Sequence, residues 1–123
     1  MREILFRGKR IGNGEWITGY LVDSHFIGNW LLCEPVIPET VGQYTGLTDK
    51  NGKKIYEGDI VTGLFSFGME IKSVVVFQDG AFGLRWSRGG AEQFSAFTSI
   101  CNVEFEVIGN IHDNPELLEE GRQ

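Results

Sequence analysis

The sequence predicts an all-β protein, and three observations support that fold class. Glycine is frequent and dispersed, with 17 in 123 residues, whereas there are only 3 prolines. Aromatic residues make up 12% of the chain and lie among β-branched residues, which suit a pleated, half-buried surface. Short apolar runs bounded by turn residues recur about every ten residues, as in antiparallel barrels and sandwiches. We therefore expect roughly eight strands or more in a single domain, residues 1–123.

The first 43 residues are predicted to form an N-terminal β-meander. A turn at residues 12–14 separates a short strand at residues 4–6 from a second strand at residues 15–22. Both faces of this second strand are apolar, so we expect it to be central in its sheet. A further hairpin follows with a two-residue loop, Gly28-Asn29. The prolines within residues 34–39 favour an edge or crossing segment there.

Residues 44–111 are predicted to form a small SH3-like barrel, since tight turns join short strands in a meander. The clearest turns are at residues 49–52 and around Gln78-Asp79-Gly80. Residues 112–123 are expected to form a short helix and a tail. Asn114 fits the position before the helix, and Pro115 fits its first turn.

The balance of charge argues against tight non-specific binding to nucleic acid, since the net charge is −6. The charge is uneven: residues 1–10 hold four basic residues and one acidic residue, whereas residues 104–123 hold six acidic residues and one basic residue. This polarity could order subunits head to tail, although a solvated surface is the ordinary interpretation. No apolar stretch suits a signal peptide or a membrane span, which predicts a cytoplasmic protein without a membrane partner.

Metal and cofactor sites are not expected. Cys33 and Cys101 are isolated in sequence and are typical of buried cysteines in a reducing compartment. A single long-range disulfide between them is the alternative. Together with His25 and His112 they make a two-plus-two set of zinc ligands, but no pair has zinc-finger spacing.

No convincing catalytic set emerges, so the chain is not expected to be an enzyme. Glu57 and Asp59 are two residues apart and could form a carboxylate pair, as in a small hydrolase. Because Gly58 separates them in a tight turn, we interpret them as turn residues.

Binding of single-stranded nucleic acid is the sharpest alternative. Small barrels bind single strands by stacking bases on aromatic rings beside a basic groove. Such a surface needs its cations and rings on one face, and the net charge disfavours it. The candidate residues, with Lys9 beside them, are Arg7, Arg10, Trp16, Arg85, Trp86 and Arg88.

Two stretches are distinctive, and with the N-terminal Phe6-Arg7-Gly8-Lys9 they carry a resemblance. Residues 43–61 read QYTGLTDKNGKKIYEGDIV, and residues 105–118 read FEVIGNIHDNPELL. The chain resembles the YopX family of phage and prophage proteins essentially from end to end. The distinctive residues are interpreted as structural, and they are Tyr44, Gly46, Leu47, Asp49, Gly52, Tyr56, Gly58, Asp59, Gly109, Asn110, Asn114 and Pro115.

Each group of distinctive residues has an expected structural role. The glycines supply turns, and Asp49 and Asp59 accept backbone N–H bonds within them. Tyr44 and Tyr56 bury their rings. We expect four aliphatic residues of the first stretch to fill the core, and they are Leu47, Ile55, Ile60 and Val61.

The resemblance implies a β-rich fold, a source in a temperate phage or a bacterium that carries one, and a cytoplasmic setting. It implies no activity and no catalytic residues. The leading hypothesis is a non-enzymatic accessory protein that binds another macromolecule, with a protein partner preferred to nucleic acid.

Self-association is also predicted. Adjacent apolar residues place hydrophobic side chains on both faces of several strands, and the pairs are Trp16 with Ile17, Trp30 with Leu31, and Phe65 with Phe67. A small barrel has one interior, so some of these side chains should be exposed and form a homo-oligomer interface. Alternatively, residues 1–43 cover them within one chain.

Overall fold

The computed structural model describes residues 4–23, 25–28, 33–64, 70–88, 90–97 and 105–119, and strands dominate these ranges. The predicted all-β class is confirmed, and the described residues contain eleven strands. In chain order they are β1 (Phe6–Lys9), β2 (Trp16–Asp23), β3 (Phe26–Gly28), β4 (Cys33–Pro35), β5 (Gly42–Thr48), β6 (Lys54–Tyr56), β7 (Asp59–Leu64), β8 (Glu70–Gln78), β9 (Ala81–Arg88), β10 (Ala91–Ala96) and β11 (Phe105–Asn110). A 3-10 turn covers Pro38–Thr40, and helix α1 covers Glu116–Glu119.

The chain divides into two compact units, Met1–Gly46 and Leu47–Gln123. Strand β5 runs through the division. The predicted boundary between meander and barrel, at residues 43 and 44, lies slightly earlier in the same strand.

In the first unit the strand order is β4-β3-β2-β1-β5, and the strands are antiparallel. Strand β2 is central, as its two apolar faces predict. Ile27 and Val36 are fully buried on one face of this sheet. Gly8 of β1 allows this packing, since an added Cβ would lie 2.9 Å from Cγ2 of Val36.

Two sequence expectations for this unit need correction or fall outside the described residues. The first strand begins at Phe6 and continues to Lys9, because Arg7 and Lys9 point to the face opposite Gly8 and so do not interrupt the strand. Strands β3 and β4 form the predicted hairpin, but its loop includes residues 29–32, which lie outside the description. Pro35 lies on β4, the edge strand, as expected.

In the second unit an antiparallel sheet has the order β10-β9-β8-β7-β11. Its core consists of side chains from β6 to β9 and from β11, and they are Ile55, Val61, Val75, Leu84 and Phe105. Strands β8 and β9 are joined by the predicted two-residue turn, in which Asp79 and Gly80 have φ of 54° and 82°. Positive φ at both positions is the type I′ geometry that matches strand twist. Closure into an SH3-like barrel stays a prediction.

Candidate interaction surface

One face of the first unit carries cations and aromatic rings. Gly8 faces Val36 and Ile27, so its neighbours Arg7 and Lys9 face the other way. The antiparallel register places Arg7 opposite Thr18 and Lys9 opposite Trp16. We call these four residues, with Tyr20 and Val22 further along the same side of β2, the cation–aromatic face.

The two cations of this face lie over Trp16. The guanidinium carbon of Arg7 is 4.7 Å from the ring centroid, and Nζ of Lys9 is 5.7 Å from it. Both distances are within the range in which the ring quadrupole attracts a cation. The backbone N–H of Lys9 also donates to Oγ1 of Thr40, at 2.9 Å, which holds β1 against the 3-10 turn. The contacts with the Trp16 ring position both cations, and Nε and Nη2 of Arg7 are buried.

The remainder of this face is exposed and largely apolar. Tyr20 is 61% exposed and Val22 is 50% exposed. Across the sheet, Tyr20 is paired with Gly28, and Gly28 is paired with Cys33, which is also exposed. Since glycine has no side chain, the surface is recessed at Gly28, between the phenol ring of Tyr20 and the thiol of Cys33. An exposed aromatic group beside positioned cations is a composition typical of binding surfaces.

The exposure of Cys33 corrects the expectation that the cysteine is buried. It lies on the edge strand β4, on the face turned away from Ile27, so the core does not cover it. Cys101 lies outside the described residues. Among the residues that the structure describes, no three His, Cys, Asp or Glu side chains are close enough to hold a metal ion.

Arg10 belongs to a different environment. Its Nε donates to Oε2 of Glu34 at 2.7 Å, and its Nη1 lies 3.2 Å from Oε1 of Glu15. Arg10 and Glu34 line a shallow groove together with Gly12, Asn13 and Pro35. Two carboxylates offset the charge of Arg10, so it adds little to the cationic character of the unit.

The candidate nucleic-acid residues of β9 do not form one surface. Nε of Arg85 lies 3.5 Å from Oε1 of Glu92, whereas Trp86 packs against the core of the second unit. Adjacent residues of a strand point to opposite faces, so Arg85 and Trp86 cannot present a shared stacking site. Arg88 pairs with Ala91 through its backbone, and its side chain lies outside the description. Of the six candidates, the structure brings together Arg7 and Trp16.

The carboxylate of Asp49, in the turn between β5 and β6, is directed inward. Its Oδ1 accepts the backbone N–H groups of Asn51 and Lys53 at 2.8 and 2.9 Å, and its Oδ2 accepts that of Val107 at 3.0 Å. A further bond joins Lys50 N–H to Phe105 O at 2.9 Å. These bonds attach the turn to β11, at the edge of the five-stranded sheet.

The pKa of Asp49 reflects this environment. Burial by itself raises the pKa of the carboxyl, but hydrogen bonds from the backbones of Val107, Lys53 and Asn51, with the charge of Lys53, have the larger combined effect. The pKa therefore lies below its ordinary value of 3.8. Asp49 is an ionised structural group with its oxygens already occupied.

Asp59 is likewise directed inward. It is 1% exposed, and its Oδ2 accepts the N–H of Tyr56 at 2.8 Å across the turn between β6 and β7. Gly58 has φ of 94° in this turn, and its backbone binds both Val75 and Ile111. Glu57 is half-buried and Asp59 fully buried, so they do not offer a substrate two accessible carboxylates.

The second distinctive stretch forms a compact turn after β11. Oδ1 of Asn110 accepts the N–H groups of His112 and Asp113 at 3.0 and 2.9 Å. Oδ1 of Asn114 accepts the N–H of Asn110 at 3.2 Å. Gly109 makes room for this amide, because an added Cβ would lie 2.5 Å from Oδ1 of Asn114. Pro115 then leads into α1.

Leu47 corrects the expectation that all four aliphatic residues of the first stretch are buried. It is 44% exposed, whereas Ile55, Ile60 and Val61 are at most 2% exposed. The preceding Gly46 has φ of 90°, which interrupts the regular alternation of β5 after the buried Tyr44.

A family model described as YopX protein matches residues 9–119, which is most of the chain. The chain belongs to the YopX family. Its predicted membership is thus confirmed, and the match includes both distinctive stretches. No curated protein matches the chain closely enough to count as a relative. In the described part of this YopX-family chain, no helix has the length and apolar character needed to cross a membrane.

The sequence indicated Arg7, Lys9 and Trp16 but did not single out Tyr20 and Val22. Because both faces of β2 carry apolar residues, the sequence pattern does not indicate which face is exposed to solvent. The small Gly8 and Gly19 on the core side were the available signal, because they allow close packing there.

Proposed function

We propose that this YopX-family chain is a phage- or prophage-encoded accessory protein that binds a protein partner in the bacterial cytoplasm. The cation–aromatic face is the binding surface in this proposal. The observation that carries it is the exposure of Tyr20 and Val22 beside Arg7 and Lys9, which are held over Trp16.

The composition of the face supports a protein partner. Tyr, Trp and Arg are enriched among the residues that dominate protein–protein binding energy, because they bury large areas and form polar contacts at their ends. Here all three types lie within one β-hairpin and its continuation. The strands give them a fixed spacing, which reduces the entropy lost when a partner binds.

The burial and hydrogen bonding of two carboxylates support a non-enzymatic role. Asp49 and Asp59 are the most buried acidic residues of the described chain, and both use their oxygens in backbone hydrogen bonds. A hydrolase that used Asp59 would need its carboxylate within reach of substrate, and Asp59 is 1% exposed.

Single-stranded nucleic acid is the second candidate, and the contact of Arg7 with Trp16 favours it. Base stacking needs an open aromatic face, however, and Arg7 and Lys9 already lie over this ring. Trp86 packs against the core, and the net charge of −6 opposes a polyanion. Salt-dependent binding of a single-stranded oligonucleotide, lost in Trp16→Ala, would favour this candidate.

The deciding experiment is a pull-down from phage-infected cells with a matched pair of variants. Tyr20→Ser removes an exposed ring from the proposed surface, and Phe77→Ser removes a ring that is 53% exposed in the second unit. We expect a specific protein to be retained by the wild type and by Phe77→Ser but lost by Tyr20→Ser. Equal retention by both variants, with both folded by circular dichroism, would contradict the proposed surface.

A further inference from the structure

We propose that Asn51, in the turn between β5 and β6, is a site of spontaneous deamidation, which converts its amide into an aspartate or an isoaspartate. The site lies in the second unit, so the inference goes beyond the proposed function and does not depend on the cation–aromatic face. It starts from the pair Asn-Gly, which occurs twice in the chain, at Asn13-Gly14 and at Asn51-Gly52. The surroundings of the two pairs differ in one respect that decides which asparagine reacts.

The reaction needs only the chain, hydroxide and water. The backbone nitrogen that follows asparagine loses its proton to hydroxide and attacks the side-chain carbonyl carbon, Cγ. The N–Cγ bond forms, the Cγ–Nδ2 bond breaks, and the amide nitrogen takes a proton from water and leaves as ammonia. Water then opens the cyclic succinimide at either carbonyl, which gives aspartate or isoaspartate. A following glycine favours the attack, because it has no side chain to obstruct its own nitrogen.

The two pairs share the access that the reaction requires. Both asparagines and both glycines are exposed. Gly14 and Gly52 have φ of 71° and 84°, and beyond the chain neighbours no heavy atom of the described chain lies within 4 Å of a Cβ added at either position. Each glycine N–H donates at 3.0 Å to a carbonyl earlier in its own turn, Arg10 O or Asp49 O. Solvent access and the state of the attacking nitrogen are therefore matched.

The two side-chain amides differ in their hydrogen bonds. Oδ1 of Asn13 accepts the N–H of Glu15 at 3.0 Å, and its Nδ2 donates to Oε1 of Glu15 at 3.0 Å. Both bonds must break before Cγ of Asn13 can turn toward the nitrogen of Gly14. The side chain of Asn51 makes no hydrogen bond with the part of the chain that the structure describes, where only its backbone N–H is bonded. Its amide is therefore free to reach the aligned orientation that the attack requires.

Deamidation at Asn51 alters the bonds that hold this turn. Oδ1 of Asp49 accepts backbone N–H groups from both sides of the reacting linkage, those of Asn51 and Lys53, at 2.8 and 2.9 Å. Isoaspartate routes the main chain through the side chain and so adds a carbon between these two donors. Because hydrogen bonds weaken steeply when they are misaligned, the two donors no longer suit one oxygen. The attachment of the turn to β11, through Val107 N–H and Oδ2 of Asp49, is weakened with them.

Ageing of the folded, full-length chain at mildly alkaline pH tests the inference, because hydroxide accelerates the reaction. Peptide mapping by mass spectrometry measures the loss of amide at each asparagine, and a protein isoaspartyl methyltransferase labels the isoaspartate. We expect Asn51 to lose its amide about tenfold or more faster than Asn13, since two ordinary hydrogen bonds must break at Asn13 alone. Equal rates, or a faster reaction at Asn13, would overturn the inference.

Two further measurements show whether the fold sets this preference. In concentrated urea both turns are unfolded, so the rates at Asn13 and Asn51 should converge. A preference that persists in urea would refute its structural cause. Glu15→Ala removes the acceptor of Nδ2 and should raise the rate at Asn13 severalfold while the rate at Asn51 stays the same. An unchanged rate at Asn13 in this variant would refute the protective role of the bonds to Glu15.

Urea unfolding after ageing tests the consequence for the second unit. The aged wild type should unfold at lower urea than the fresh protein, whereas Asn51→Gln should keep its midpoint. Glutamine must close a larger, less favoured ring, and its backbone N–H still reaches Asp49. Fresh Asn51→Asp carries the new charge without the altered linkage and should stay close to the fresh wild type. An equal fall in aged wild type and aged Asn51→Gln would refute deamidation of Asn51 as the cause.

Discussion

The two units use their polar side chains in opposite ways. In the second unit, the carboxylates of Asp49 and Asp59 are buried and accept backbone N–H groups of the turns around them. In the first unit, Arg7 and Lys9 lie over Trp16 on the face opposite Ile27 and Val36, which also carries the exposed Tyr20. The most distinctive stretches of sequence therefore hold the structure together, whereas the exposed aromatic ring of Tyr20 lies on a less distinctive strand.

The contrast has a physical origin. Turns leave backbone N–H groups that strands do not satisfy, and a short acidic side chain can accept several of them. Strands satisfy their own backbones, so their outward side chains can serve other purposes. Four predictions test how far this division of roles holds, beginning with the largest expected effect.

Replacing Asp49 by Ala should give the largest loss of stability. It removes the acceptor for the partly buried N–H groups of Asn51, Lys53 and Val107, so we expect a loss of about 3 kcal/mol. Urea unfolding monitored by circular dichroism measures this change. Asp79→Asn is the control, because it alters an exposed acid whose positive φ Asn also tolerates, and it should change stability by less than about 0.5 kcal/mol. Similar effects for the two variants would contradict the structural role of Asp49.

A backbone contact in the second unit gives the next effect. In Gly83→Ala the new Cβ would lie 2.4 Å from Ser95 O and 2.8 Å from Cα of Ala96, so β9 and β10 must separate. We expect a loss of about 2 kcal/mol, typical of overpacking.

Gly12→Ala in the first unit is the matched control for Gly83→Ala. No heavy atom lies within 4 Å of its added Cβ, and its φ does not require glycine. Thermal unfolding should show little change or a slight gain for this variant. Equal destabilisation by both substitutions would show that the close approach of β9 and β10 is not the cause.

Ser73→Ala should stabilise the second unit by about 1 kcal/mol, because it removes a buried hydroxyl that costs desolvation free energy. Ser73 is 1% exposed, and its Oγ has no hydrogen-bond partner in the described part of the chain. In the first unit, Thr40→Val should do the opposite, since Oγ1 of Thr40 donates to Ile37 O at 2.6 Å and accepts from Lys9 N. Denaturant midpoints compare the two variants. Destabilisation by Ser73→Ala would reveal an unrecognised role for its hydroxyl.

The smallest effect concerns pH. Since the folded pKa of Asp49 is depressed below 3.8, its ionised form stabilises the fold above about pH 4, and this contribution declines as pH falls through the folded pKa. The difference in unfolding free energy between wild type and Asp49→Asn should therefore be constant from about pH 5 to about pH 8, the range in which protein stability is usually greatest. The difference should shrink at lower pH. Urea titrations at several pH values measure it. A difference that grows on acidification would reverse the assigned direction of the pKa shift.

The sequence by itself determined the fold class, the family and the local turns. The Asp79-Gly80 turn and the central position of β2 followed from residue types and apolar periodicity, because backbone preferences act over a few residues. These signals are short-range and remain readable without knowing which strands are neighbours.

Only the tertiary structure decided which side of each strand is covered. Cys33 and Leu47 are apolar in character but exposed, and Trp86 packs against the core although its neighbour Arg85 is exposed. Burial depends on strands distant in sequence, and a β-strand with two apolar faces does not indicate which one they cover. The joining of Asp49 to Val107 across the second unit, and of Arg7 to Trp16 across the β1–β2 hairpin, likewise exists only once the strands are paired.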